Sequence, residues 1–116
     1  MAINFSIEIE KKSPPTIIVQ GEIDIYTCPK LQKSMNSLID EGHESFVLNL
    51  ENIQYIDSTG LGTIAQAAQQ LMDNEGEISI ICNKPQVKKI FEVSGLSEKN
   101  IKLYENEHSL AEQNTK

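Results

Sequence analysis

Apolar and polar residues alternate strictly over residues 3 to 10, which predicts a strand with one buried face near the edge of a sheet. The Pro14–Pro15 pair ends this strand and forces a turn or an extended link. A second strand is predicted over residues 16 to 19, where Ile17, Ile18 and Val19 follow one another. Three consecutive β-branched apolar residues indicate burial on both faces of the sheet.

Helical and strand-like patterns then alternate along the chain. Helices are predicted from Tyr26 to about Gly42, from Ser58 to Asn74 and from Pro85 to Gly95, with one or two turns over residues 107 to 113. Strand-like segments cover residues 46 to 50, 53 to 56, 78 to 82 and 101 to 104, with a turn at Glu51–Asn52 between the first two. Strands joined through helices lie parallel, whereas the short first link allows an antiparallel pair. This order predicts one α/β domain over residues 1–116, with a core over about 3–112 and a mixed sheet.

The formal charge of −7 is concentrated in the middle of the chain. All ten basic residues are lysines, and none lies between Ser34 and Asn83, where eight acidic residues fall. Such a surface repels nucleic acid and anionic membranes. There is no apolar run of the ~20 residues that a membrane span needs, and no secretory signal. We therefore expect a cytoplasmic protein, with Cys28 and Cys82 as reduced, buried thiols.

The hexapeptide Asp57-Ser58-Thr59-Gly60-Leu61-Gly62 joins a strand-like run to the longest predicted helix. It places two hydroxyl groups and two glycines where backbone N–H groups lack partners and the helix dipole is positive. Asp, Ser and Thr are ordinary caps, but a glycine inside a helix costs roughly 0.5–1 kcal/mol relative to alanine. Two glycines therefore indicate close packing on the sheet or the close approach of another molecule.

Ser58 has four possible uses at this position: capping, anion binding, nucleophilic catalysis or phosphorylation. Catalysis needs a base, and the only histidines, His43 and His108, lie in a predicted loop and in the C-terminal tail. Lys84, Lys88 and Lys89 could in principle serve, but no motif supports them. The surroundings match neither GxSxG nor a Walker motif, although weak nucleotide binding at the helix N-terminus stays open. Glu22 and Asp24 resemble a carboxylate pair, but without a substrate cleft such residues are more often solvated strand-end residues. His43 and its neighbours Glu41 and Glu44 lack metal-ligand spacing. No metal and no cofactor are predicted.

Three segments carry a resemblance to a known family: the hexapeptide, Gly21-Glu22-Ile23-Asp24 before it, and Ile90-Phe91-Glu92-Val93-Ser94-Gly95-Leu96 after it. In this order, and covering nearly the whole chain, they resemble the anti-sigma factor antagonist family of bacteria, which are free-standing STAS domains. The central motif is specific, and the other two are moderately so. The resemblance implies a STAS-like α/β fold, with a mixed four- to five-stranded sheet and helices packed on one side.

The resemblance also implies a function. Members of this family bind an anti-sigma factor, which is also a serine kinase related to histidine-kinase-type ATPases, and thereby release the sigma factor for transcription. The kinase phosphorylates the serine directly after the motif's aspartate, here Ser58, and the phosphorylated form lets go. A metal-dependent serine/threonine phosphatase then resets the protein. Asp24 matches a family aspartate near the site, and the protein itself is expected to be a monomer and no enzyme.

A partner-binding site follows from the resemblance and the helix pattern together. Positions 61, 64, 65, 68, 71 and 72 are predicted to point inward, which leaves Gly62, Thr63, Gln66, Ala67, Gln69 and Gln70 outside. This outer face has no charge before Asp73, and the centres of protein interfaces are depleted in charge. The predicted partner-binding residues are Asp24, Asp57, Ser58, Thr59, Gly60, Gly62, Thr63 and Gln66.

Two other functions stay open at this level. STAS-like domains also serve as scaffolds or as accessory subunits of transport systems, which would here require a separate membrane partner. A small enzyme that uses Ser58 is the other alternative, and the lack of an evident base argues against it.

Overall fold

A mixed sheet of five strands is the centre of the computed structural model, which describes residues 5–96 and 99–114, the side chains of 113 and 114 excepted. The strands are β1 (Ser6–Glu10), β2 (Thr16–Ile23), β3 (Phe46–Ile56), β4 (Ile78–Ile81) and β5 (Ile101–Tyr104). The helices are α1 (Cys28–Asp40), α2 (Ser58–Met72), α3 (Pro85–Ser94) and α4 (Glu107–Asn114). The mixed α/β fold is thus confirmed, while the expected start of the first strand at Ile3 lies outside the described residues.

The strands lie side by side in chain order. β1 pairs antiparallel with β2 across the proline link, and each later pair is parallel, as strands joined through helices require. β4 pairs only with the first part of β3, from Phe46 to Asn49. The rest of β3 pairs with β2, up to Ile23 opposite Ile56. These two residues mark what we call the carboxyl edge, the end of the sheet where β2 and β3 stop together.

The turn predicted at Glu51–Asn52 is wrong, because β3 continues through it for eleven residues in all. Polar side chains there indicated a turn, but β2 also extends beyond Val19 and supplies a hydrogen-bonding partner, with Gln20 opposite Asn52. Two register shifts between β2 and β3, each with one extra residue in β3, accommodate the longer pairing. The extension matters for function, since it carries the end of β3 beyond the last paired residue of β4.

Helices α1, α2 and α3 pack on one face of the sheet, as predicted. Along β3, Phe46 and Leu48 point into this main core, while Val47 points to the opposite face. There it packs with Ile81 and with Leu110 of α4. The short terminal helix therefore covers part of the second face, and the predicted one-sided packing holds for the three longer helices.

Candidate functional site

Asp57 fixes the junction between β3 and α2. Its backbone is extended, at φ −102° and ψ −177°, and its N–H donates to the carbonyl of Ile23 at 3.1 Å, which continues the pairing of β2 with β3. Its Oδ1 accepts the N–H of Gly60 at 3.0 Å. Asp57 is therefore the N-cap of α2.

Ser58 and Thr59 are the exposed first two residues of α2. Within residues 5–96 and 99–114, the Ser58 hydroxyl makes no hydrogen bond. The N–H groups of Ser58 and Thr59 have no acceptor inside the helix because they lie in its first turn, and the Asp57 side chain accepts the N–H of Gly60 instead. The junction thus presents a free hydroxyl next to unpaired donors at the positive end of a helix, a setting that favours an added negative charge.

The two glycines of the hexapeptide serve different purposes. Gly60 is buried, and a Cβ there would lie 2.6 Å from Cγ2 of Ile23 and 2.8 Å from Cγ1 of Ile56. Because Gly60 has no side chain, the start of α2 packs directly on the carboxyl edge. Gly60 therefore fixes the position of the helix that carries Ser58. Gly62 is exposed, and a Cβ there would meet nothing within 4 Å. Packing within the described chain therefore explains why Gly60 is a glycine. It does not explain Gly62, whose low helix propensity is not offset by any close contact.

Asp24 organises the neighbouring junction between β2 and α1. Its Oδ1 accepts the N–H of Tyr26 at 2.9 Å, and the N–H and hydroxyl of Thr27 at 3.0 and 3.2 Å. The Thr27 hydroxyl in turn donates to the carbonyl of Glu22 at 2.7 Å. The predicted helix start at Tyr26 is two residues too early, because these bonds hold a loop before Cys28. Asp24 thus lies near Asp57, one residue beyond the carboxyl edge, and shapes the loop beside it.

The outer face of α2 agrees with the prediction at most positions. Gly62 and Gln66 are exposed, while the half-buried Thr63 donates its hydroxyl to the carbonyl of Thr59 at 3.0 Å. Two positions were assigned wrongly: Ala67 is buried, and Met72 is 49% exposed. The reason is that α2 packs against α1 as well as the sheet, which rotates its apolar stripe toward α1.

Neither histidine lies near Ser58 in the structure. His43 precedes β3 and Ser58 follows it, and an eleven-residue strand separates the two by roughly 30 Å. His108 lies beside Glu107, which contacts Lys12 in the β1–β2 link, again far from the carboxyl edge. The Lys84 Nζ is engaged elsewhere, since it donates to the carbonyl of Ile53 at 2.6 Å.

Metal and thiol chemistry find little support in the part of the chain that the structure describes. No group of three or more His, Cys, Asp or Glu side chains there is arranged to hold a metal ion. Both cysteines are buried and unbridged, as predicted. Burial raises the pKa of the Cys82 thiol, so this group stays protonated at neutral pH. None of the described helices combines the length and hydropathy that crossing a bilayer requires.

The sequence patterns did not identify three exposed apolar side chains near the carboxyl edge. Ile25 and Tyr26 project from the β2–α1 loop, and Tyr55 lies two residues before Asp57; all three are exposed. The available signal was the position of Ile25 and Tyr26 between a strand-ending aspartate and a proline, outside the apolar stripe of α1. Their exposure itself depends on the loop that Asp24 forms.

Comparison with known proteins places this geometry in context. The family model of the STAS domain matches residues 6–110. An anti-sigma-B factor antagonist of Staphylococcus aureus is 35% identical over 80 residues, which are 69% of this chain and 74% of the relative. A crystal structure of an anti-sigma factor antagonist from Mycobacterium paratuberculosis superposes with a TM-score of 0.82 at 21% identity, covering 93% of this chain and 92% of that one.

A second structural neighbour has been solved in two chemical states. SpoIIAA, an anti-sigma factor antagonist, matches in its unphosphorylated form with a TM-score of 0.75 at 20% identity, over 96% of this chain and 98% of that one. Its phosphorylated form, from Bacillus, gives 0.67 at 20% identity, over 95% and 99%. At these identities both structures show a shared fold.

Proposed function

The chain belongs to the STAS domain family, among the anti-sigma factor antagonists, and from this premise we propose that it binds an anti-sigma factor and so releases a sigma factor for transcription. The bound form is the unphosphorylated one. The anti-sigma factor is also a serine kinase, which transfers the γ-phosphoryl group of ATP to the Ser58 hydroxyl. In this cycle the protein is the regulator and the substrate, and the catalysis belongs to its partners.

The observation that carries this proposal is the state of Ser58. Its hydroxyl is exposed and unbonded within the described chain, and the aspartate before it is engaged by Gly60. A kinase therefore reaches the hydroxyl without unfolding α2. The Staphylococcus relative, an anti-sigma-B factor antagonist, and the existence of phosphorylated SpoIIAA support the same interpretation.

A phosphate on Ser58 would change the surface more than the fold. It adds about −1.5 to −2 charges at pH 7, which the positive end of α2 tolerates. The chain has no arginine to form a bidentate contact with it, and the Lys84 ammonium is occupied by Ile53. The new charge thus stays where a docked partner would have to bury or repel it. A loss of about 2.7 kcal/mol of binding free energy weakens affinity roughly a hundredfold, which suffices for a switch.

Release by phosphorylation requires a way back. An exposed phosphoserine at the start of α2 is accessible to a serine/threonine phosphatase, which hydrolyses the ester and restores the hydroxyl. We propose that the protein works in this way in the cytoplasm and as a monomer. Gly62, Thr63 and Gln66 form the part of the docking surface that follows Ser58 along the helix. Gly62 would allow the partner's backbone to approach α2 closely.

The test is a binding series against the purified anti-sigma factor encoded in the same genome. We expect Ser58→Asp to weaken binding about a hundredfold and Ser58→Ala to bind like the wild type. The matched control is Ser37→Asp, which adds the same charge at an exposed position near the far end of α1. After incubation with ATP, mass spectrometry should locate one phosphate on Ser58. Phosphate at another residue, or equal binding by Ser58→Asp and Ser37→Asp, would contradict the proposed switch.

A further inference from the structure

Large apolar side chains are exposed unevenly over this protein. Among the described residues five such side chains are exposed: Ile25, Tyr26, Tyr55, Met72 and Val93. Single exposed apolar residues are ordinary, whereas a group of them on one surface indicates a binding site. Three of the five lie beside the carboxyl edge, at 62% for Ile25, 87% for Tyr26 and 49% for Tyr55. We call these three residues the apolar patch.

The pairing of β2 with β3 brings the apolar patch and Ser58 to the same edge of the sheet. Glu22 lies opposite Tyr55, and Ile23 opposite Ile56, on strands about 4.8 Å apart. Tyr26 is three residues beyond Ile23, and Ser58 is two beyond Ile56. At ~3.5 Å per residue, the Cα atoms of Tyr26 and Ser58 are at most roughly 22 Å apart. An ordinary interface of about 800 Å² per partner is roughly 30 Å across, so one partner can cover both.

The loop that carries Tyr26 is held in place before any partner arrives. The Tyr26 N–H donates to Oδ1 of Asp24 at 2.9 Å, and Thr27 ties the same loop to the carbonyl of Glu22. The ring itself contacts little, since 87% of the residue is exposed. An aromatic side chain on a fixed backbone loses little conformational entropy on binding, because only two side-chain torsions need to be ordered. Its burial removes a large apolar area from water.

Charges around the apolar patch define the chemistry of its partner. Glu22, Asp24 and Asp57 lie at the carboxyl edge. The lysines nearest in the chain are Lys30 and Lys33 in α1, and the Lys84 ammonium donates to the carbonyl of Ile53. No lysine lies between Ser34 and Asn83, and the chain as a whole carries a formal charge of −7. This acidic charge suits a protein surface with basic residues around an apolar pocket and opposes an anionic membrane.

We propose that the apolar patch is the second half of the Ser58 docking surface, with Tyr26 as its anchor in an apolar pocket of the anti-sigma factor that basic residues surround. This inference rests on the proposed function and assigns it a contact independent of the phosphate. Ser58 supplies the switch, whereas the apolar patch supplies affinity and selects the partner. Buried aromatic anchors of this kind dominate the binding free energy of many interfaces.

The test uses full-length variants and the same purified anti-sigma factor. We expect Tyr26→Ser to weaken binding about 30-fold, and Ile25→Thr and Tyr55→Thr about fivefold each. The matched control is Val93→Ser, which removes an apolar side chain that is 77% exposed near the end of α3, away from the carboxyl edge; we expect less than a twofold change. Urea denaturation of each variant checks that the fold is retained, and the backbone bond of Tyr26 to Asp24 is available to serine as well.

The possible outcomes separate this inference from the proposed function. If the wild type does not bind the anti-sigma factor at all, the proposed function fails. If the wild type binds, and Tyr26→Ser binds equally well or at most about twofold more weakly than Val93→Ser, the inference is overturned and the proposed function stands. Binding of the wild type to vesicles of phosphatidylcholine and phosphatidylglycerol, lost in Tyr26→Ser, would also overturn it by making the apolar patch a membrane contact.

Discussion

At each of two junctions on the carboxyl edge an aspartate side chain accepts backbone N–H groups, but the two junctions form different local structures. Asp24 follows Ile23 at the end of β2, and Asp57 follows Ile56 at the end of β3. Each aspartate turns its carboxylate onto backbone N–H groups, Asp24 onto Tyr26 and Thr27, and Asp57 onto Gly60. In the first junction the aspartate folds a loop before the helix begins. In the second it caps a helix that begins at the next residue.

The difference lies in what each junction displays. The loop after Asp24 leaves the apolar side chains of Ile25 and Tyr26 exposed, where they can contact a partner. The capped helix after Asp57 turns out Ser58 and Thr59, which are hydroxyl groups that can be modified. Because one carboxylate satisfies the backbone donors at each junction, the side chains that follow it are not needed as caps and can face a partner. A single edge of the sheet can in this way combine a contact surface with a chemical switch.

Replacing Gly60 should break the second junction with the largest effect on stability. In Gly60→Ala the new Cβ would lie 2.6 Å from Ile23 and 2.8 Å from Ile56, so that α2 must lift from the sheet. We expect a loss of about 1–3 kcal/mol in the free energy of unfolding, measured by urea denaturation at unchanged slope. Wild-type stability in this variant would mean that the carboxyl edge repacks freely.

Replacing Asp24 tests the first junction. Asp24→Ala removes the acceptor for two N–H groups and a hydroxyl, and we expect a loss of about 1.5 kcal/mol in unfolding free energy. The control Asp24→Asn keeps a side-chain oxygen and should recover more than half of the loss. If both variants are equally destabilised, the negative charge, rather than the hydrogen-bonding geometry, is what the loop requires.

Removing the cap of α2 should have a smaller effect. Asp57→Ala leaves the N–H of Gly60 without its acceptor, and we expect a loss of about 1 kcal/mol, while Asp57→Ser retains most of the stability. The smaller cost follows from the smaller number of bonds at this junction. If parallel urea denaturations show a larger loss of unfolding free energy for Asp57→Ala than for Asp24→Ala, the cap of α2 contributes more stability than the loop after β2, contrary to this prediction.

Gly62→Ala should show the smallest change in stability and the opposite sign. Nothing lies within 4 Å of the added Cβ, so the better helix propensity of alanine should raise the free energy of unfolding by about 0.5–1 kcal/mol. In the same variant we expect weaker binding of the anti-sigma factor, because the methyl group would separate its backbone from α2. A variant that is more stable and binds as well as the wild type would remove Gly62 from the docking surface.

The central motif can be recognised from the sequence alone, because its six residues, Asp57 to Gly62, are contiguous. Hydrophobic periodicity and turn residues likewise predicted the order of the elements, since these patterns are local. They failed at Glu51–Asn52, where polar residues continue a strand only because β2 runs alongside. They also failed at Ala67 and Met72, because the direction of the apolar stripe of α2 depends on where α1 packs.

By itself, the sequence determined the position of Ser58 between a strand and a helix, the fold class, and the acidic middle of the chain, because each depends on neighbouring residues or on composition. Only the tertiary structure decided which glycine packs and which stays open, since Gly60 meets Ile23, far away in the chain. It alone brought Tyr26 to the same edge of the sheet as Ser58, through the parallel pairing of β2 and β3. Contacts between residues distant in sequence leave no local pattern. The Ser58 half of the proposed docking surface depends on the packing of Gly60 against Ile23, and the apolar patch depends on the pairing of β2 with β3.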